Sequence, residues 1–280
     1  MLMIGADPEF FVQGPDGLPL PIVGLLGGDK ENPIPVEGWS GYAVQEDNVM
    51  AEYNIPPTND PDAFADSIVR GQAFVLERVR RTVRHATIYP GCSVLFPEIQ
   101  LANAQAQLFG CSPDFDAYHM GAPLPRINPT ALIQPDGSAW RFAGGHVHLG
   151  YRADITYEVP EFVVATLADL FIGLPMVAHG LDNQGERRKW YGTPGRYRPT
   201  KYGVEYRTLS NSWTLSRRHA VWVGSAALRL MSFIMRGEEG VRRVYNDMPW
   251  ADIQRAIATA DQNLAGELRA YARGRRLEVI

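Results

Sequence analysis

The sequence predicts an α+β fold, in which a β-sheet carries polar side chains on one face and helices pack behind the other. Three observations favour this class. Short strand-like segments separated by turn residues occupy much of residues 1–150. Helical periodicity of apolar residues recurs over residues 59–85, 160–178, 217–236 and 250–273. Acids and histidines stand at alternating strand positions, whereas the helical stripes are apolar, so we expect the functional groups on the sheet.

The composition is that of an ordinary globular protein, with 280 residues, 45% hydrophobic and 21% charged. The length allows one large domain over residues 1–280 or two small ones, and the C-terminal part, about 215–275, is predicted to be helical. The formal net charge of −4 gives no general basic field, so we expect no direct nucleic-acid binding. Cys92 and Cys111 show neither zinc-type spacing nor a disulfide framework, and no leader or membrane span is apparent. These features predict a cytoplasmic protein that does not contact a membrane.

The N-terminal segment, residues 1–12, is predicted to be a strand on which Asp7 and Glu9, two residues apart, share one face. Pro8 between them removes a hydrogen-bond donor, which favours an edge strand or a bulge. Two carboxylates on one face suit a hard divalent cation such as Mg²⁺. The alternative is a polar strand face that is open to water.

Residues 41–55 supply further candidate ligands. Glu52 is a candidate third carboxylate, with a cross-strand salt bridge as its alternative role. Its partner is either Glu46 or Asp47, because residues 47–48 form either a tight turn or part of one continuous strand. Upstream, Lys30 lies in a glycine-rich loop, where it is a candidate phosphate contact, although the sequence contains no P-loop motif.

Residues 140–150 contain His146 and His148, which alternate with apolar residues, so both imidazoles are predicted to lie on one strand face. A Gly-Gly pair precedes them and permits close approach of backbone or ligand. A metal or phosphate contact is one interpretation, and two satisfied core histidines are the other.

The most basic stretch spans residues 185–213, where lysines and arginines alternate with glycines and aromatic residues. Its first half, residues 187–201, has no apolar period and is predicted to be a loop. Residues 203–207 follow as a strand with Glu205 and Arg207 on one face. This pattern indicates an anion site with a metal nearby. Nucleic-acid backbone binding and a solvated basic loop are the alternatives.

Several motifs, taken in order, resemble one family. Residues 5–11, Gly-Ala-Asp-Pro-Glu-Phe-Phe, resemble the Gly-Pro-Glu-Pro-Glu-Phe-Phe strand of glutamine synthetases, and residues 145–148, Gly-His-Val-His, resemble their Gly-Met-His-x-His strand. Residues 187–207 resemble their Arg…Pro-Gly-Tyr…Glu-x-Arg region. With residues 110–114 and 205–211, the set is most similar to the COOH–NH2 ligase type 2 amidoligases of the glutamine synthetase-like superfamily, found largely in phage genomes. The resemblance spans residues 1 to about 240.

The resemblance implies a single catalytic domain with a curved antiparallel sheet, a metal site on the open face, and a reaction that uses ATP and Mg²⁺ or Mn²⁺. The metal ligands it implies are Asp7, Glu9, Glu52, His146 and Glu205. The catalytic residues it implies are Arg207, Arg198 and Arg187. The residues expected to bind the nucleotide are Lys30, His148, Arg188, Tyr197 and Lys201. Asp7 departs from the family's Glu by one methylene, so its ion is expected to sit closer or to bind through water.

The reaction implied is an ATP-dependent amide bond between a carboxylate and an amine, through an acyl phosphate, because a carboxylate is a poor acyl donor until it is phosphorylated. Metal and guanidinium charges would stabilise the transferring phosphoryl group. Residues 187–201 are expected to close as a lid over it. The expected partners are small-molecule or peptide substrates. The expected location is the cytoplasm, which is that of the host if a phage encodes the chain. A homo-oligomer is compatible with these expectations. The alternatives are a small-molecule kinase for a guanidino or carboxylate group and a non-catalytic nucleotide-binding module.

Overall fold

A computed structural model of the protein describes residues 1–107, 114–182, 184–275 and 277. Its strands, in chain order, are β1 (Met3–Ala6), β2 (Glu9–Phe10), β3 (Val12–Gln13), β4 (Pro19–Leu20), β5 (Ile34–Pro35), β6 (Ala43–Asp47), β7 (Met50–Asn54), β8 (Thr87–Ile88), β9 (Ser93–Phe96), β10 (Phe115–Asp116), β11 (Ala122–Pro123), β12 (Ala139–Phe142), β13 (Val147–Gly150), β14 (Arg196–Thr200) and β15 (Gly203–Tyr206). The helices are α1 (Pro61–Arg80), α2 (Ala104–Gln107), α3 (Glu161–Ala168), α4 (Leu174–Ala178), α5 (Arg187–Trp190), α6 (Arg217–Met235), α7 (Glu238–Asp247), α8 (Trp250–Thr259) and α9 (Gln262–Gly274). A π-helical turn, Asp169–Gly173, joins α3 to α4.

The main sheet has the strand order β1-β13-β15-β14-β10-β11, and its neighbouring strands are antiparallel. Side chains alternate between its two faces as the sequence predicts. Ile4, Leu149 and Val204 lie in register on the face that belongs to the hydrophobic core. His148, Glu205 and Arg198 lie in register on the opposite face. The predicted α+β class with an antiparallel sheet is therefore confirmed.

The N-terminal strand is broken at Asp7 and Pro8, where a bulge or edge was expected. β1 ends at Ala6 and pairs with β13 of the main sheet. β2 begins at Glu9 and joins a second antiparallel sheet with the order β2-β7-β6-β5. Asp7 and Glu9 therefore lie at the junction of two sheets, and each is directed to a different set of neighbours.

A hairpin resolves the ambiguity at residues 47–48. β6 and β7 pair antiparallel, with Asp47 opposite Met50, so the chain turns tightly at Asn48 and Val49. Asn48 has a φ of 48°, a left-handed conformation that asparagine tolerates better than most residues. The continuous strand is excluded, and Asp47 lies at the end of the hairpin.

The helices pack behind the core face of the main sheet, as expected. α3 contacts β14 and β15, and α6 contacts β1 and β13. The two long helices α1 and α6 pack against each other, and stacked rings of Phe64 and Trp213, 5.6 Å apart between centroids, fill the space beside them. Among the described residues, one helical stretch, Glu161–Ala178, is apolar and long enough to cross a membrane, but 83% of it is buried inside the fold.

The predicted helical boundaries agree with the structure in most places. α1 begins after the Asp60 cap, which accepts hydrogen bonds from the N–H groups of Asp62 and Ala63. It ends at Arg80, whereas we expected a helix to about residue 85. The helical stretch expected over residues 160–178 is divided by the π-helical turn Asp169–Gly173 into α3 and α4. The expected helix over residues 250–273 is two helices, because Ala260 adopts a left-handed conformation with a φ of 52°.

The loop prediction for residues 187–201 is wrong. Residues 187–190 form the short helix α5, and residues 196–200 form β14, which pairs with β15 on one side and β10 on the other. The segment is therefore part of the sheet scaffold, and the lid that we expected from it is not supported. Arg196 and Arg198 alternate with Tyr197 along β14, but the strand has only five residues and Tyr197 is its one buried side chain, so no apolar period marks it in the sequence. Cys111 and residues 110–113 of the family motif lie outside the described residues.

Candidate active site

A cleft lies where the two sheets meet, and charged residues from well-separated segments line it. Its lining residues are Asp7, Glu9, Lys30, Asp47, Asn48, Met50, Glu52, Arg141, Phe142, Gly144, His146, Arg187, Tyr191, Arg198 and Arg207. All of the acids and the histidine that the family resemblance assigned to metal, except Glu205, are in this set, and Glu205 contacts Arg207 directly. The cleft therefore collects the predicted polar residues in one place.

The first cluster of carboxylates comprises Glu9, Asp47 and Glu52. Glu9 on β2 is directly opposite Glu52 on β7, and Asp47 stands at the neighbouring hairpin end. One carboxylate oxygen from each residue lies within 4.8 Å of the others. Glu9 is fixed by the N–H of Gly144, which donates to its Oε2 at 2.7 Å. Three oxygens at this separation match the ligand type that Mg²⁺ and Mn²⁺ prefer.

The electrostatics of the first cluster favour a bound cation. Burial raises the pKa of Glu9 to about 8, with a further contribution from Asp47. Burial also raises the pKa of Asp47. It raises the pKa of Glu52 well above its usual value, and the negative charges of Asp7, Asp47 and Glu9 raise the pKa of Glu52 further. The carboxylates therefore resist ionising together unless positive charge compensates them, and a divalent ion supplies that charge.

The second cluster comprises Asp7, His148 and Glu205, whose ligand atoms also lie within 4.8 Å of one another. The Nε2 atom of His148 is 3.1 Å from Oδ1 of Asp7. Neither atom has a hydrogen-bond partner of good geometry among the described residues. Buried polar atoms are rarely left in this state. The residues present therefore fit a second cation.

His146 is buried beside the second cluster. Its Nδ1 atom lies 3.4 Å from Oδ1 of Asp7, 3.5 Å from Oε1 of Glu205 and 3.0 Å from Nη1 of Arg207. Burial and the charge of Arg207 lower the pKa of His146 to about 4, so the imidazole is neutral at pH 7. For His148, burial alone would lower the pKa, but Asp7 outweighs it and raises the pKa.

An arginine cluster lies next to the second group of ligands. Arg207 pairs with Glu205, and its Nε atom lies 3.0 Å from Oδ1 of Asp114. Arg198 lies 3.2 Å from the same Asp114 oxygen, and Arg196 is 3.9 Å from its other oxygen. Although burial opposes ionisation, these guanidinium groups hold the pKa of Asp114 below its usual value. Two predicted catalytic arginines, Arg198 and Arg207, are therefore held together by one carboxylate.

Arg187 reaches the cleft from α5. It is buried, and its guanidinium donates to Gln184 and to the main-chain oxygens of Thr208 and Arg207, the latter two at 3.3 and 3.4 Å. These bonds fix the guanidinium against the strand that carries Arg207. Lys30 and Arg141 enter the cleft from other segments, Lys30 from the loop before β5 and Arg141 from β12.

Asp47, and not Glu46, is the carboxylate that lies beside Glu52, because the hairpin turns directly after Asp47. Glu46 points to the other side, where its carboxylate accepts N–H bonds from Gly24 and Leu26, both at 2.9 Å, and from Gly27 at 2.6 Å. Glu46 therefore stabilises the loop that carries Lys30. The sequence left both residues open because it did not fix the position of the turn.

Two residues expected to bind the nucleotide, Arg188 and Tyr197, line neither the cleft nor the second cavity described next. Arg188 is buried and donates to Asp182 at 2.9 Å and to the main-chain oxygen of Gly192 at 2.7 Å. Tyr197 lies on the core face of β14, with its ring 5.8 Å from that of Phe115. Both positions follow from the alternation along β14 and from the α5 turn, which direct these side chains inward.

Lys201 and His148 line a second cavity of about 730 Å³ beside the cleft. Apolar or aromatic side chains form much of its wall, including Met3, Ile55 and Tyr202. Asn54 and Arg152 add polar groups. A pocket of this size, with a few polar groups on apolar walls, is typical of a small-molecule site. His148 faces both the cavity and the second ligand cluster.

Sequence reasoning did not single out several residues that the fold brings to the cleft or its border. Asp114 is part of a family motif without an assigned role, and no sequence pattern points to Arg141 or Tyr202. Asp47 was one of two candidates. A charged residue that directly precedes a turn was the available signal for Asp47. For Asp114, Arg141 and Tyr202 the position depends on contacts between segments far apart in the chain, which a single sequence does not display.

Comparison with known proteins supports the motif analysis. The family described as phage phiEco32-like COOH.NH2 ligase-type 2 matches residues 139–271. This region includes His146, His148, Glu205 and Arg207, whereas the carboxylates of the first cluster precede it. A search of curated proteins finds no match. The matching family is the one that the motifs predict, and residues 139–271 of this chain are similar to the phage phiEco32-like COOH.NH2 ligases of type 2.

Proposed function

We propose that this protein is an ATP-dependent ligase that joins a carboxylic acid to an amine through an acyl phosphate. The observation that carries the proposal is the pair of three-residue ligand clusters, one built on Glu9 and one on Asp7, which adjoin the arginine cluster of Arg198 and Arg207. The match of residues 139–271 to a ligase family supports the ligase class. We also propose that the two sheets form the curved, glutamine synthetase-like surface that the motifs suggest.

The ions would be Mg²⁺ or Mn²⁺, held by Glu9, Asp47 and Glu52 and by the cluster around Asp7 and Glu205. When bound, they would neutralise phosphate charge and bring the nucleotide and the acid together. The oxygen-rich first cluster fits either metal, and the mixed oxygen and nitrogen set of the second fits Mn²⁺ as well as Mg²⁺.

The cavity beside His148 is our candidate for the base and ribose of ATP. Tyr202 offers an aromatic face for stacking, and Asn54 offers an amide that can donate to and accept from a purine edge. Lys201 lies on the same wall and can contact a phosphate. From this cavity the phosphates would extend past His148 toward the two ligand clusters.

The arginines have the chemistry needed for the phosphoryl transfer. Arg207 is held by Glu205 and Asp114, so its guanidinium is already oriented before substrate binds. Preorganised positive charge stabilises the phosphoryl group more than mobile charge does, because it does not have to reorganise during the reaction. Arg198 and Arg187 would contact the remaining oxygens in the same way.

The acid and amine would bind in the part of the cleft near Lys30, Arg141 and Tyr191. The carboxylate attacks the γ-phosphorus, ADP leaves, and the amine then attacks the acyl phosphate, releasing phosphate and forming the amide. A carboxylate of the cleft would take the proton from the amine. We propose small-molecule or peptide substrates, a cytoplasmic location and no direct contact with nucleic acid or membrane.

Trapping with hydroxylamine tests the proposal. With ATP, Mg²⁺ and a panel of carboxylic acids, a ligase forms a hydroxamate together with one ADP, because hydroxylamine intercepts the acyl phosphate. A guanidino kinase instead gives a stable phosphorylated product without hydroxamate. A carboxylate kinase forms hydroxamate but no amide when amines replace hydroxylamine, and a non-catalytic module binds ATP without releasing ADP. Arg207→Lys protein is the control for contaminating activity. Stable phosphorylated product without hydroxamate would replace the ligase with the kinase.

A further inference from the structure

A third cavity, of about 670 Å³, shares Arg141 with the cleft and shares no residue with the cavity beside His148. Its size lies within the usual range for small-molecule sites. The proposed reaction needs room for an acid and an amine as well as for the nucleotide. The third cavity borders the cleft at a place that the candidate nucleotide cavity does not occupy, so it is available for one of these substrates.

Arg141 forms the border between the third cavity and the cleft. It is 3% exposed, and its guanidinium donates to the main-chain oxygens of Trp140 at 2.9 Å and Ala106 at 2.8 Å. Both of these acceptors are neutral, so the two bonds fix the guanidinium without cancelling its positive charge. Burial lowers the pKa of Arg141 to about 10, and the group therefore stays protonated at pH 7. A fixed guanidinium at this border can bind a carboxylate next to the cleft.

The wall of the third cavity is mainly apolar, and two of its isoleucines are exposed. Ile99 is 83% exposed and Ile133 is 50% exposed, whereas Leu101 on the same wall is buried. Single exposed apolar side chains are common, but two that line one concavity indicate a surface that an apolar ligand can cover. An apolar wall beside a guanidinium fits an acid with an aliphatic chain.

Glu98 gives the third cavity a negative charge at a distance from Arg141. It lies against Gly137, where an added Cβ atom would come within 2.7 Å of Oε2 of Glu98. Gly137 precedes Arg141 by four residues, which corresponds to roughly 13 Å at the rise of an extended strand. Within the part of the chain that the structure describes, no group forms an ion pair or a hydrogen bond with the Glu98 carboxylate. The cavity therefore presents a cation at one end, an anion at the other and apolar side chains on its wall.

We propose that the third cavity binds the carboxylic acid substrate, and that this acid is an aliphatic chain with a cationic group at its far end. The carboxylate would lie at Arg141, next to the cleft, and the cationic group would lie at Glu98. The chain between them would cover Ile99 and Ile133. An ω-amino acid is the simplest compound with this chemistry. The assignment rests on the proposed function, because it names the substrate class of the same site.

Three acids with carbon chains of equal length test the charge at the far end. They are ε-aminocaproate, caproate and adipate, whose distal groups are cationic, apolar and anionic. Ligand-observed NMR titration of the full-length protein, without nucleotide, measures their dissociation constants. The wild type should bind ε-aminocaproate most tightly and adipate least tightly, with roughly two- to fivefold between successive acids, as for an exposed ion pair. Caproamide should bind more weakly than caproate, because it lacks the negative charge that Arg141 would bind.

Substitutions of Glu98 test the same charge from the side of the protein. Glu98→Gln should remove the advantage of ε-aminocaproate over caproate, and Glu98→Lys should reverse the order, so that adipate binds most tightly. Glu98 is exposed, so neither substitution disturbs the core. Glu77→Lys is the matched control, since Glu77 is also exposed and lies on α1, outside the cavity. It should keep the wild-type order.

Ile99→Ser tests the apolar wall. It should weaken the binding of caproate and of ε-aminocaproate by a similar factor, roughly threefold or more, because it removes apolar contact area without changing any charge. The exposure of Ile99 makes this substitution compatible with folding. Wild-type affinity for both acids in Ile99→Ser would contradict the placement of the chain along this wall.

Two further results would overturn the proposal: an unchanged order of affinities in Glu98→Lys, or no measurable binding of ε-aminocaproate to the wild type. The hydroxamate assay with ATP separates this proposal from the proposed function. If the acids bind in the expected order but yield neither hydroxamate nor ADP, the ligase is refuted and the ligand class of the cavity stands. If hydroxamate forms equally well from all three acids, in the wild type and in Glu98→Lys, the ligase stands and the assignment of the cavity is refuted.

Discussion

Glu9 and Glu52 lie directly opposite each other on the adjacent antiparallel strands β2 and β7, with both side chains buried. Like charges at opposed positions destabilise a sheet, and burial increases the cost. The fold therefore retains a pair that is unfavourable unless protons or a cation compensate it. This relationship links the stability of the protein to its proposed metal.

Mg²⁺ or Mn²⁺ should raise the melting temperature of the protein in the absence of nucleotide. At 100 times the dissociation constant, ligand binding contributes about 2.7 kcal/mol to the free energy of unfolding. Glu52→Gln should be more stable than the wild type without metal, because the repulsion is relieved, and should gain less from metal. Calorimetry with chelator and with metal measures the melting temperature of each protein and its rise on metal binding. Equal gains in the two proteins would contradict a metal site at this pair.

Glu46 and Asp47 give a matched pair of neighbouring variants. Asp47→Asn should weaken Mn²⁺ binding by roughly tenfold or more, since it removes a charged ligand. Glu46→Gln should leave metal affinity unchanged but lower the free energy of unfolding by about 1–3 kcal/mol, because one oxygen that accepts buried N–H groups is lost. Titration calorimetry and urea unfolding separate the two effects, and the reverse pattern would show that the hairpin is misassigned.

The metal-free protein should lose stability as the pH rises from about 6.5 to 8. The pKa of Glu9 is raised to about 8, so over this range the folded state holds a proton that the unfolded state has already released. Stability therefore falls with pH, by on the order of 1–2 kcal/mol for one proton. Asp47, Glu52 and His148 have raised pKa values and act in the same direction.

Saturating Mg²⁺ should remove most of this pH dependence, because metal binding replaces the protons. Urea unfolding at pH 6.5 and 8.0, with chelator and with Mg²⁺, measures it. A metal-free protein whose stability rises across this range would contradict the burial of these carboxyl groups. Glu9→Gln should show a shallower slope than the wild type without metal.

Arg207→Lys should lower kcat by roughly 10²–10³-fold, since a single ammonium cannot reproduce the oriented guanidinium. Arg217→Lys is the control, because Arg217 also pairs with two acids, Asp62 and Asp66, but lies exposed on α6. The readout is ADP release with the acid and amine found in the hydroxamate screen. Full activity in a folded Arg207→Lys protein would remove Arg207 from the mechanism.

Asp114→Asn should also lower kcat, by roughly tenfold, although Asp114 is not predicted to touch substrate. Its carboxylate holds Arg198 and Arg207 together, and neutralising it leaves two guanidinium groups to repel each other. Asp116→Asn is the comparison, since Asp116 contacts Tyr118 and His119. If Asp114→Glu keeps the wild-type kcat and Asp114→Asn does not, the negative charge is the essential feature of this residue. A wild-type kcat in Asp114→Asn would exclude a role of this charge in catalysis.

The sequence by itself determined which residue types share a strand face. The alternation of Val204 and Tyr206 with Glu205 and Arg207 follows from a period of two, and it holds in β15. The helical segments were equally readable, because a 3.6-residue apolar period allows one buried face. The motifs also indicated the family that the chain resembles. What these local patterns specify is the direction of each side chain relative to its own element.

Only the tertiary structure decided which of these side chains meet. Asp7 and Glu9 share a short segment but belong to separate clusters, because β1 and β2 join different sheets. The position of the turn selected Asp47 rather than Glu46 as the carboxylate beside Glu52, and Arg188 is directed inward to Asp182. Strand order and register arise from pairing between distant segments and from burial of the whole core, and neither is encoded within the few residues of a motif.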